Sequence, residues 1–137
     1  MKKSEIRNIV SALESLPLKE CKDRELKISL IQDRVYLKRL AAEIEADIAS
    51  LRSEIIGDQQ DRVNEYFASV QSDPERAKGI FPEIRDVVMD FDRACSQMLN
   101  QDVRVEIPCK VGERALLDIV VDTDAVDMAD SLLLNLT

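Results

Sequence analysis

The feature that most constrains the fold is the stretch from Leu26 to Ile56, which contains neither proline nor glycine. Apolar residues recur in it every three or four positions, which is the spacing of one helix face. This pattern predicts a single long helix that begins between Leu18 and Lys22, against which the rest of the chain folds. Its apolar stripe consists of Leu26, Leu30, Leu37, Leu40, Ile44, Ile48, Leu51 and Ile55.

The long helix has a second apolar flank in its first half, formed by Ile28, Ile31 and Val35. We therefore expect the first half to pack on two neighbours and the second half on one. Leu26, Leu37 and Ile48 are eleven positions apart, a period that favours a nearly straight helix over a left-handed supercoil.

Two further helices flank the long one in sequence. The range Ser4–Leu16 carries a narrow apolar stripe, and Pro17 ends it because the residue before proline is disfavoured in the α region. A break or kink is expected near Gly57, although a helix can also continue through glycine at a cost of about 1 kcal/mol. Helical spacing resumes beyond Gly57 and extends to about Gln71.

A helix start is predicted at Asp73 and Pro74, with the aspartate as cap and the proline at the first helical position. Gly79 and Pro82 interrupt the following pattern, so residues 74–80 are expected to form only a short turn of helix. A firmer helix is predicted from Pro82 to about Asn100, as the antiparallel partner of the long helix.

The periodicity changes after residue 102. Apolar and polar residues alternate from Val103 to Lys110, which is strand spacing, and Pro108 makes this an edge or bulged strand. A turn at residues 111–113 and a returning strand from Ala115 to Val121 complete a predicted β-hairpin near 103–121. Thr123 or Asp124 could cap a short terminal helix, with a terminal strand over residues 131–137 as the alternative.

The sequence therefore predicts an α+β fold that is mainly α. It consists of an antiparallel helical core with one long central helix, a C-terminal β-hairpin and a short terminal helix. A chain of 137 residues fits a single domain. Residues 4–100 form its helical part, and residues 101–137 contain the hairpin and the terminal helix.

Charge is unevenly distributed along the chain. The formal net charge is −8, and residues 1–40 carry ten Lys and Arg against six Asp and Glu, which gives +4. Residues 41–137 carry the remaining nine against twenty-one, which gives −12. Such an acidic segment repels phosphate backbones, so nucleic-acid binding is disfavoured. No apolar run reaches transmembrane length, so no membrane partner is expected.

The residue types argue against most catalytic and metal chemistry. The chain has no histidine, and its three cysteines are widely spaced without a C-x-x-C pair. A structural zinc site and a Ser or Cys nucleophile with its usual base are both disfavoured, and no cofactor or metal is expected. Reduced cysteines fit a cytosolic protein.

One enzymatic alternative remains. Glu43 with Asp47 and Asp86 with Asp90 are carboxylate pairs four residues apart on two predicted helices. Oxygen ligands of this kind suit Mg²⁺, as in all-α nucleotide pyrophosphohydrolases. The E-x-x-E and E-x-x-D spacings of those enzymes are absent, so a solvated acidic face is the favoured interpretation.

Charge order along the long helix suggests self-association. Basic residues precede its centre and acidic residues follow it, so two copies crossing antiparallel near Ala41 and Ala42 would set basic halves against acidic halves. This predicts a homodimer or higher homo-oligomer. The predicted interface consists of Leu40, Ile44, Ile48, Leu51, Ile55, Arg34, Lys38, Arg39 and Glu45.

The order of parts resembles a group of small uncharacterised proteins of tailed phages and prophages. The likeness is carried by a short helix at Ser4–Leu16, a Leu-Pro-Leu-Lys junction from Leu16, a charged helix at Leu37–Leu51, the strand Gln101–Ile107 and the end Leu132–Leu136. On that view residues 73–81 are an insertion. The resemblance implies a phage context, in the host cytoplasm or associated with the virion, and no activity.

The leading functional hypothesis is a non-enzymatic interaction or assembly protein that self-associates through its long helix. The first alternative is an acidic inhibitor or adaptor whose acidic segment binds a basic host protein. The second is the Mg²⁺-dependent hydrolase.

Overall fold

The computed structural model describes residues 1–120 and 129–137. Six α-helices are present in this part of the chain, together with short 3-10 turns at Leu18–Glu20 and Gly57–Gln59. The helices are α1 (Lys3–Ser15), α2 (Arg24–Ile55), α3 (Gln60–Ser72), α4 (Pro74–Leu99), α5 (Glu113–Val120) and α6 (Ala129–Leu136).

The long predicted helix is α2, and local sequence signals explain both of its ends. Its first turn is capped by Asp23, whose Oδ1 accepts a hydrogen bond from the Leu26 N–H at 3.1 Å. At the other end Gly57 has a φ of +50°, a left-handed conformation that favours glycine. The predicted break near Gly57 is therefore confirmed.

The chain divides into two compact units by its internal contacts. Unit 1 contains residues 1–44 and 100–137, and unit 2 contains residues 45–99. Helix α2 is continuous and contributes its first part to unit 1 and its last part to unit 2. The single domain proposed for residues 1–137 stays a prediction.

Unit 1 is built around fully buried aliphatic side chains. Helix α1 buries one face against its neighbours, and a short antiparallel bridge joins Lys2 to Asp102 beside it. Each large aliphatic side chain removed from water contributes about 1.5–3 kcal/mol, so this core is sufficient to hold short helices in place. Its buried residues include Ile6, Ile9, Leu13, Leu30, Leu37, Leu116, Val120, Leu132 and Leu136.

Unit 2 contains an antiparallel pair formed by α3 and α4, which are separated only by Asp73. Its buried cluster consists of Ile56, Val63, Ile80 and Ile84, with half-buried side chains of both helices around it. At the surface, Arg62 donates to Glu83 at 2.6 Å and to Glu65, which also accepts from Arg76. These hydrogen bonds hold the pKa of both glutamates below the usual value.

The prediction that α4 starts firmly only at Pro82 is wrong. Asp73 and Pro74 do begin a helix, as predicted, but it continues through Gly79 and Pro82 to Leu99. Proline costs a helical hydrogen bond in the interior of a helix. Here Pro82 is exposed while Ile80 and Ile84 on either side are buried, so packing of the apolar face outweighs that loss.

The predicted β-hairpin near 103–121 is also wrong. Residues 103–111 form no regular secondary structure and bend at Pro108. They alternate between half-buried and exposed as expected, but no second strand pairs with them among the described residues. Residues 115–120 of the expected returning strand lie in α5 instead, and Val121 lies outside the described residues. Leu116 and Val120 of this helix are four residues apart, and both are buried. A continuous apolar run does not distinguish helix from strand, so tertiary packing decided between them.

The described part of the chain is thus all-α rather than α+β. The predicted terminal helix is present as α6, which buries Leu132 and Leu136. The alternative of a terminal strand is wrong for these residues. The proposed caps Thr123 and Asp124 lie outside the described residues.

Candidate interaction surface on the long helix

One side of α2 is covered by the protein itself. Leu26, Leu30, Leu37 and Ile44 are buried, so this side supplies the core. The rest of the predicted apolar interface lies on the same side and is half-buried: Leu40, Ile48, Leu51 and Ile55. A stripe that its own chain largely covers has little area left for a partner.

The opposite side of α2 is open, and we call it the outer face: Ile28, Val35, Ala42, Ala46 and Ala49. Ile28 is 47% exposed and Val35 is 46% exposed, and the three alanines are exposed as well. In a regular helix these five residues fall within an arc of about 60°, roughly opposite the buried stripe. The expectation that the first half of α2 packs on two neighbours is therefore wrong for Ile28 and Val35.

Charged residues border the outer face on both sides. Lys38 and Glu45 lie along one border, and Arg39 and Glu43 lie along the other, as helical geometry places them. All four are exposed, and Lys38 forms an ion pair with Glu14 of α1 at 2.9 Å. Arg34, another predicted interface residue, is half-buried. The basic residues precede Ala42 and the acidic residues follow it.

Side chains of α2 also hold residues 103–111 in place. Asp33 Oδ1 accepts the Cys109 N–H at 2.9 Å, and the Tyr36 hydroxyl accepts the Glu106 N–H at 3.0 Å. The Cys109 thiol donates to Gln32 Oε1 at 2.8 Å. Side chains of a helix therefore satisfy two backbone donors that a partner strand would satisfy in a sheet.

Asp33 was not singled out by the sequence analysis, although it is fully buried. The signal that could have identified it is the seven-residue gap between Leu30 and Leu37 in the apolar stripe. Asp33 fills that gap, and an acidic residue on a core-facing side needs a hydrogen-bond donor. Its second oxygen, Oδ2, has no hydrogen-bond partner among the described residues. Burial raises the pKa of the Asp33 carboxyl, and the Cys109 N–H and the charge of Lys110 oppose that rise.

This raised pKa predicts a specific pH dependence of stability. In the unfolded chain Asp33 ionises near pH 4, whereas in the folded protein it ionises at higher pH. Its contribution to stability is thus fully present below pH 4 and is lost as the pH rises through the folded pKa. Asp33→Asn keeps an acceptor oxygen for Cys109 but does not titrate.

The measurement is urea unfolding of both proteins between pH 3.5 and pH 8. The wild type should lose stability relative to Asp33→Asn as the pH rises from about 4, and then run parallel to it at higher pH. A stability difference that stays constant across this range would contradict the prediction.

The four carboxylates of the hydrolase hypothesis do not form a recognisable metal centre. Glu43, Asp47, Asp86 and Asp90 are all exposed, and Asp90 lies 3.8 Å from Arg93. No group of three or more His, Cys, Asp or Glu side chains suited to a metal ion occurs within residues 1–120 and 129–137. The geometry of the described carboxylates therefore gives this hypothesis no support.

Unit 2 has a separate apolar groove of about 590 Å³, a volume within the range of small-molecule sites. The Arg52 guanidinium lies over the Phe91 ring at 5.4 Å, and Phe67 is 61% exposed at the same groove. The groove is lined by Arg52, Ile56, Gln60, Val63, Asn64, Phe67, Val88, Phe91 and Asp92. It has no convergent set of acid, base and nucleophile, so its chemistry is that of an apolar contact surface.

Comparisons with known proteins add no family assignment. No family model, no curated protein and no solved structure matches this chain. Across the described helices, none is both long enough and apolar enough to span a membrane.

Proposed function

We propose that this chain is a non-enzymatic interaction or assembly protein that self-associates through α2. The observation that carries the proposal is the outer face, where Ile28 and Val35 each keep nearly half of their surface exposed on a helix that is otherwise amphipathic. An apolar row bordered by charges on a long helix is the usual form of a helix–helix contact surface. The phage context is part of this proposal, and it rests on the order of helices and apolar segments described above.

The burial of the α2 side chains supports a contact on a different side of the helix from the one predicted from sequence. The interface predicted from sequence uses Leu40, Ile44, Ile48, Leu51 and Ile55, a row that is half-buried or buried. The outer face uses the opposite side of the same helix. The charged members Lys38, Arg39 and Glu45 remain in the proposed surface because they border the outer face.

The acidic-adaptor alternative has one supporting observation, the −12 charge of residues 41–137. Charge of this size attracts basic proteins over a distance set by ionic strength, but it specifies no contact geometry. Self-association is preferred because it accounts for specific exposed apolar side chains as well as for charge.

Sedimentation equilibrium over a wide concentration range tests the proposal. The wild type should be a dimer or larger, and Val35→Glu should weaken association by tenfold or more because it places a charge in an apolar contact. Val70→Glu is the matched control, since Val70 is 42% exposed and lies on a different helix, α3. Its association should equal that of the wild type. A wild type that is monomeric at every concentration would refute the proposal.

A further inference from the structure

The outer face has an internal symmetry that specifies its partner and the direction of pairing. We infer that it binds the outer face of a second copy of this chain, with the two α2 helices antiparallel and a two-fold axis near Ala42. This inference rests on the self-association proposed above. It adds the position of the two-fold axis on the outer face, the antiparallel direction of pairing there and the pairs of residues in contact.

The outer-face residues Val35 and Ala49 are spaced symmetrically about Ala42 along the helix. Val35 and Ala49 are each seven residues from Ala42, on opposite sides of it. A two-fold axis at Ala42 therefore brings Val35 of one copy beside Ala49 of the other. The bulky residue of each pair meets a small one, which keeps the helix separation uniform along the contact.

Ile28 lies two turns before Val35 and is the most exposed large aliphatic residue of α2. The same symmetry places it level with residue 56 of the second copy, which is buried and lies one residue beyond the end of α2, so Ile28 lies at the margin of the contact. The paired faces extend from Val35 to Ala49, about 21 Å along the helix.

The charged borders select the antiparallel direction. Lys38 and Glu45 lie on one border, and the two-fold axis sets Lys38 of each copy opposite Glu45 of the other. On the second border Arg39 meets Glu43 in the same way. A parallel pair would instead set the border of Lys38 and Glu45 against the border of Arg39 and Glu43, so that basic meets basic and acidic meets acidic, which is repulsive. The antiparallel arrangement gives each of the four border residues an oppositely charged neighbour in the other copy.

Charge exchange between Lys38 and Glu45 tests these contacts. The two residues are seven positions apart, about 10 Å along the helix, so they do not contact each other within one chain. Lys38→Glu and Glu45→Lys should each weaken the dimer roughly tenfold, because each change converts two attractive pairs into repulsive ones. The double variant Lys38→Glu/Glu45→Lys should restore wild-type association.

The ion pair of Lys38 with Glu14 does not confound this test, because it is lost in Lys38→Glu and is not restored in the double variant. Circular dichroism establishes that each variant keeps its helix content. A double variant that associates no better than the single variants would overturn the pairing.

Disulfide trapping gives an independent measure of direction. Ala42→Cys should cross-link to itself, and Val35→Cys mixed with Ala49→Cys should form the heterodisulfide. Neither Val35→Cys nor Ala49→Cys should cross-link to itself. Peptide mapping by mass spectrometry identifies each bond and separates it from the native Cys21, Cys95 and Cys109.

The experiments distinguish a failure of the antiparallel pairing from a failure of self-association. A dimer in which Val35→Cys cross-links to itself overturns the antiparallel arrangement and leaves self-association standing. A dimer that gives no cross-link at any of the three positions places the interface elsewhere and overturns the inference. A monomer overturns both.

Discussion

Substitution of Leu116 by alanine is expected to lower the free energy of unfolding by about 2–5 kcal/mol. Leu116 is fully buried in α5, where it and Val120 face the core of unit 1. Removing the side chain takes away apolar burial and leaves a cavity that a packed core fills only in part. Because small proteins are stable by only about 5–15 kcal/mol, this is a large share of the total.

Leu117→Ala is the matched control, because it removes the same atoms from a half-buried neighbour. Urea unfolding of the two variants should show a clearly smaller loss for Leu117→Ala. The comparison also tests the secondary structure. In the strand predicted from sequence, Leu116 and Val120 would share a face with the charged Asp118, so the apolar face would be that of Leu117. In the helix Leu116 and Val120 are buried while Asp118 is exposed on another side. A larger loss for Leu117→Ala would argue against α5.

The second large effect is expected from Ile84→Ala in unit 2. Ile84 is 1% exposed and belongs to the cluster with Ile56, Val63 and Ile80. Its truncation should destabilise the α3 and α4 pair by about 2–5 kcal/mol, since the cavity opens between two closely packed helices. Hydrogen exchange followed by mass spectrometry should show faster exchange across residues 60–99 in the variant.

Met89→Ala provides the control on the same helix. Met89 is 46% exposed, so its truncation should change the free energy of unfolding by no more than about 0.5 kcal/mol. Equal exchange rates in Ile84→Ala and in the wild type would show that the cluster does not hold the helix pair together.

The residues that α2 contributes to the core and the residues of the proposed contact lie on different sides of this helix. The covered side of α2 holds the core of unit 1 and residues 103–111, through Leu30, Asp33 and Leu37. The outer face contributes little to that core. Substitutions at Val35 or Ala49 can therefore alter association while the fold is kept, which is what makes the proposed dimer testable.

Strong local signals were sufficient for most of the helices. The absence of glycine and proline from residues 26–56 predicted α2, Gly57 predicted its end, and Asp73 with Pro74 predicted the start of α4. Each of these signals acts within a few residues of the position that carries it. For that reason the sequence alone is sufficient to predict these helix ends.

The candidate surface was only partly predictable. The charge order from Lys38 to Glu45 was visible in the sequence, and so was the second apolar flank of Ile28 and Val35. Periodicity could not show which of the two apolar rows the protein would cover. Both rows have helical spacing, and the choice depends on the volume that the other elements occupy.

The sequence by itself determined most of the helices, the position of the break and the asymmetry of charge, because propensity, capping and backbone restriction act within a few residues. Only the tertiary structure decided that residues 113–120 form a helix, that Pro82 lies inside one, and that Asp33 is buried beneath residues 103–111. It also decided that Ile28 and Val35 stay uncovered. These outcomes depend on contacts between residues far apart in the chain, such as the 76 positions between Asp33 and Cys109. Packing energies of several kcal/mol at such contacts exceed local preferences of about 1 kcal/mol or less per residue.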